Sequence, residues 1–110
     1  MTAIKKERAT LVELRSMCKN IADDISNDSH DGGISGASEW MEDVYNVRYI
    51  VDSEKKYLGA MLMVAGGGPT IWVNTWTKEI EGSWWGDKCT HHFRDEIGLD
   101  DYNEEMYNCI

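Results

Sequence analysis

The chain has few basic residues, no long apolar run, no closely spaced cysteine pair and no recognisable catalytic motif. Each shortage excludes something. The longest uninterrupted apolar run, Ala60 to Ala65, is far shorter than the roughly 20 residues needed to cross a bilayer, so no membrane span is expected. The three cysteines, Cys18, Cys89 and Cys109, include no Cys-x-x-Cys pair. An odd count suits a reducing compartment better than a disulfide framework. The opening MTAIKKERAT carries bases with no apolar segment behind them, so no secretory signal is expected, and a cytoplasmic setting is. With 11 basic against 20 acidic residues and a net charge of −9, the chain lacks the basic face that direct nucleic-acid binding requires. Its 110 residues and 42% apolar content are enough for one domain, residues 1–110, around a single modest core.

The acidity is blocky. Residues 1–19 carry a net +3, residues 20–54 a net −8, residues 55–94 a net +2 and residues 95–110 a net −6. Such blocks keep a small protein soluble; they can also meet a basic partner.

Residues 57–87, YLGAMLMVAGGGPTIWVNTWTKEIEGSWWGD, hold the only proline and four of the five tryptophans, and the rest of the chain is arranged around them. Before them, Ile4, Leu11, Leu14, Cys18, Ile21 and Ile25 recur at helical spacing, which predicts an amphipathic helix over residues 4–26. Residues 26–38, SNDSHDGGISGAS, read as a mobile loop, since Ser, Asn, Asp and Gly favour turns. Its Asp28, His30 and Asp31 lack the ligand order of a calcium loop. Ser38 to Met41 can add one helical turn with Trp40 facing inward. Strands are expected over 44–52, 57–65, 70–76 and 80–86. The second is apolar on both faces and so belongs mid-sheet, covered on both sides. Gly66 to Pro69 lacks the Lys-Ser/Thr of a phosphate loop and reads as a tight turn. After an irregular stretch, Leu99, Tyr102, Met106 and Cys109 mark a C-terminal helix, with Asp100 and Asp101 at its positive end. The expected fold is α+β: an N-terminal helix, a four-stranded antiparallel meander and a C-terminal helix.

Cys89, His91 and His92, with Asp87 or Cys109, suggest zinc, but adjacent histidines in a strand point to opposite faces. Cys89 and His91 can share a face as a nucleophile pair, yet no orienting third group is legible. No metal or cofactor is expected. Trp72, Trp76 and Trp85 form a platform if they share the less buried sheet face, beside Asp87. Such a platform is either core packing or a partner-binding surface.

The Gly67–Gly68–Pro69 turn, the strand bearing Ile71, Val73 and Thr75, and the ending Trp84, Trp85, Gly86 and Asp87 resemble small acidic proteins of Gram-positive gut bacteria and their mobile elements. In size, acidity and strand plan the chain is also similar, more faintly, to ArdB/KlcA-type antirestriction proteins. These resemblances imply a phage- or mobile-element-borne accessory protein. The expected function is a non-enzymatic protein-binding or inhibitor module of counter-defence, nucleic-acid-mimic type. Its partner would be another protein, in the sharper form a basic nucleic-acid-binding one, met by Asp23, Asp24, Asp28, Asp100, Asp101, Glu104 and Glu105 or by the tryptophans. The alternatives are a small Cys/His-dependent enzyme or metal protein, and a small-ligand binder on the aromatic sheet face.

Overall fold

The computed structural model describes residues 9–26 and 33–110. Ile4, Asp28, His30 and Asp31 lie outside them. Helix α1 (Ala9–Ser26) buries Leu14, Cys18, Ala22 and Ile25, spaced so that one stripe faces inward. Helix α2 (Gly33–Trp40) runs into a 3₁₀ turn, Met41–Asp43. Five strands follow in sequence: β1 (Asn46–Val51), β2 (Tyr57–Ala65), β3 (Thr70–Asn74), β4 (Glu79–Trp84) and β5 (Asp87–His92), with helix α3 (Leu99–Asn108) after them. The strands pair antiparallel in the order β1-β2-β3-β4-β5. The fold is α+β, as expected.

Two elements differ from the sequence expectation. Among the described residues the meander has five strands, not four. Trp85 and Gly86, expected to end the fourth strand, have φ of 53° and 84°. Positive φ at both central residues makes a two-residue hairpin turn of the type that matches strand twist, and Trp84 faces Asp87 across it. The fifth strand, DKCTHH, has almost no apolar alternation to announce it. The second difference lies in the stretch 26–38, expected to be loop, where residues from Gly33 on are helical and run unbroken into the helical turn expected from Ser38. Gly and Ser disfavour helix intrinsically, but Gly36 and Ala37 are buried and α2 packs on α3. Tertiary contact decides here.

All the described helices lie on one sheet face. On that face Ala60, Leu62, Ile71, Val73 and Ile80 are fully buried. On the other, Met61, Met63 and Trp72 are half-buried and Arg48 and Glu81 exposed. Strand β2 is thus second from the edge and covered by the described helices on one side only. It lies inside the sheet, between β1 and β3, as expected, but the expected layer on each side fails among the described residues, where the open side's long side chains shield one another. Arg48, for instance, lies 5.0 Å over the Trp72 ring.

Helix α1 runs parallel to β5. Thr10 Oγ1 donates to Asp87 Oδ2 (2.8 Å), Cys18 Sγ meets Cys89 Sγ (3.3 Å), and Arg94 N donates to Ser26 Oγ (2.9 Å). From Thr10 to Ser26 a helix rises about 24 Å, and from Asp87 to Arg94 a strand covers about 23 Å. The two lengths match, so both ends of the pair can be tied. Close approach in the middle depends on Gly82, where a Cβ would fall 2.8 Å from Cys18 Sγ and 3.0 Å from Leu14 Cδ1.

Candidate functional site

Three segments of the acidic block converge on one cleft. In α1, Ile21 and Asp24 stand three residues apart and so share a face. At the end of α2, the 3₁₀ turn is closed by Val44 N donating to Met41 O (3.1 Å). In such a turn residues three apart are eclipsed, which sets Trp40 and Asp43 on one side. Glu39 and Val64 complete the lining of a cleft of about 370 Å³. Its floor is apolar (Ile21, Trp40, Val64), and Asp24, Glu39 and Asp43 line it with carboxylates. This volume is near the lower end of small-molecule sites and suits one or two side chains of a partner.

The other acidic residues divide by role. Asp101, Glu104 and Glu105 are exposed on α3. Asp23 is exposed and pairs with Lys19 at 2.8 Å. Asp100 turns inward, where its Oδ1 accepts from Tyr57 Oη (2.8 Å) and Thr75 Oγ1 (2.9 Å). Thr75 Oγ1 in turn accepts from Ala60 N (2.8 Å), so Asp100 ties α3 to β2 and to the turn after β3. Burial pushes the Tyr57 phenol well above its ordinary range, with the Asp100 carboxylate adding to the rise. Asp95 caps the helix by accepting from Leu99 N (2.7 Å) and Asp100 N (2.8 Å). Asp87 is half-buried and holds Thr10. Asp87 and Asp100 are therefore framework residues.

The tryptophans do not form one platform. Trp72 and Trp76 share the open face, with Trp76 seated on Gly59, where a Cβ would fall 2.5 Å from Trp76 Cβ. Trp85 stands at the tip of the β4–β5 turn, 79% exposed. By strand register it is eight residues from Trp76 along the sheet, on the order of 26 Å. Trp76 and Trp85 serve opposite ends of the molecule.

Strand β5 alternates as the histidine argument requires. His91 faces Ile80 on the helix side; His92 lies opposite Glu79, its Nε2 3.6 Å from the carboxylate. Cys89 meets Cys18, a partner 71 residues away that no local spacing marks. Among the described residues no three His, Cys, Asp or Glu side chains are grouped to hold a metal ion, and no helix is long and apolar enough to cross a membrane. Sequence reasoning marks Asp24 but not Glu39, Asp43 or Trp40 as its companions. The available signal is the acidic run Glu39, Glu42, Asp43 flanking Trp40. No family model matches the chain, and no curated protein or solved structure matches it either.

Proposed function

We propose that this protein is a non-enzymatic binding module that captures a basic segment of another protein. The carrying observation is the cleft in which Asp24, Glu39 and Asp43 surround an apolar floor that includes Trp40. An arginine or lysine side chain suits it, with the aliphatic stem on Ile21 and Val64, the cation near the indole, and carboxylates at the head group. Asp101, Glu104 and Glu105 extend the negative field along the helix layer and would steer a basic partner toward it. A nucleic-acid-binding protein occupied at its phosphate-reading surface is the partner class we propose. The resemblance to mobile-element proteins makes counter-defence the proposed setting.

The test is calorimetric titration with an arginine-rich peptide. Combined Asp24→Asn, Glu39→Gln and Asp43→Asn substitution should weaken binding by about tenfold or more, since each exposed charge pair contributes up to about 1 kcal/mol. The melting temperature of that variant is measured alongside, so that lost binding is read only from folded protein. Peptide affinity unchanged by the three substitutions would sink this reading. A second reading rests on the open sheet face, where Trp72 lies under Arg48. It is favoured if Trp72→Ala abolishes binding that the triple variant retains.

A further inference from the structure

Between α1 and β5 lies a second cleft, of about 470 Å³, that the binding proposal does not use. Cys18 and Cys89 meet at its base, and Arg15, Lys19, Lys88 and His91 are among its other lining residues. Among the described residues no acidic one lines it. Lys19 is paired with Asp23 at 2.8 Å, yet the lining itself carries only basic charge in a chain of net charge −9. The two sulfurs stand 3.3 Å apart as free thiols. A disulfide is about 2.05 Å long, so closure asks for little over an ångström of side-chain movement. Cys18 is fully buried and Cys89 half-buried. Partial exposure beside cations is the setting in which cysteines react.

We propose that Cys18 and Cys89 form a reactive dithiol that exchanges with small disulfides carrying carboxylates. The cations draw the anionic reagent into the cleft, and Cys89, the accessible sulfur, reacts first. Its thiolate attacks one sulfur of the small disulfide, an S–S bond forms to Cys89, and the other half leaves as a thiolate. Cys18 then loses its proton and attacks the Cys89 sulfur. The second half leaves, and the Cys18–Cys89 disulfide remains. Two protein thiols have been oxidised and one small disulfide reduced to two thiols, which take up the two protons. Burial first, and Cys89 beside it second, push the Cys18 thiol up to about 12. The second step is therefore the slower one, and the mixed disulfide builds up before it resolves.

Cys109 is exposed, so the experiment uses protein carrying Cys109→Ser. It is treated with oxidised glutathione, which is anionic, or with cystamine, which is cationic, and followed by intact mass and thiol titration. With oxidised glutathione both remaining thiols should disappear, the final mass falling by two hydrogens, and peptide mapping should join Cys18 to Cys89. Adding Cys18→Ser should trap glutathione on Cys89. Adding Cys89→Ser should leave a protein that does not react. At low ionic strength oxidised glutathione should react about tenfold faster than cystamine, the reverse of what the overall charge favours, and added salt should shrink the difference. A permanent glutathione adduct on the Cys109→Ser protein, or faster reaction with cystamine, overturns the proposal. Both measurements use the Cys109→Ser protein itself, so the test does not depend on either further variant folding.

Discussion

At the scale of single residues, Cys18 couples stability to pH. In the unfolded chain its thiol ionises near the ordinary value of 9.0; in the folded protein it holds its proton to about 12. The folded state therefore keeps a proton that the unfolded state has lost. The stabilisation is complete below about pH 9 and declines as pH rises toward 12. Urea midpoints measured from about pH 8 to about pH 11 should fall more steeply for the native sequence than for Cys18→Ala. Parallel slopes would mean that Cys18 does not titrate in this way. None of this was legible in the sequence, where Cys18 is one more apolar position on a helical stripe. What distinguishes it is Cys89, 71 residues on, and the missing side chain of Gly82 that lets the two approach.

At the scale of elements, the described helices cover one side of the sheet, and β2 shows it. Leu62 is fully buried under the helices, whereas Met61, its neighbour, is half-buried on the open face. Leu62→Ala should cost about 2–5 kcal/mol, and Met61→Ala less than about 1.5 kcal/mol, because its loss opens no enclosed cavity. Equal losses in denaturant titrations would mean that the open face is covered in solution. The helical stripe of α1 and the alternation of β1, β3 and β4 were readable because burial on one side writes a period into the sequence, whereas β2, apolar on both faces, announced a strand without saying which face is covered. Strand β5 was not readable. Its inward positions are Asp87, Cys89 and His91, held by Thr10, Cys18 and the adjoining cleft rather than by apolar packing. Helix α2 was hidden for a similar reason, since its glycines and serines permit close contact while arguing against helix. The acidic cleft was half visible: the charges were plain, but their convergence depends on how α1 and the 3₁₀ turn are oriented.

At the scale of the whole molecule, acidic side chains outnumber basic ones and cluster in a few segments. Among the described residues, the acidic side chains of the blocks of net −8 and −6 belong to the end of α1, to α2 with its 3₁₀ turn, to the loop after β1 and to the region of α3. Mutual repulsion should make the free protein more stable as salt rises. Going from about 0.01 M to about 0.15 M shortens the screening length from about 30 Å to about 8 Å, and the melting temperature should climb by a few degrees over that range. A flat or falling curve would show that favourable ion pairs outweigh the repulsion.

The parallel seating of α1 on β5 has a consequence in time. Synthesis delivers α1 early, and the last strand it rests on comes some sixty residues later. At roughly 5–20 residues per second the wait is on the order of several seconds. For nearly all of it Leu14 and Cys18 lack β4 and β5, the two strands that α1 packs on. The nascent chain must either hold α1 unformed or shelter its stripe on the ribosome or a chaperone. The helix is thus made well before the strands it docks on, and the buried Ile97 and Leu99, which complete the core, follow later still.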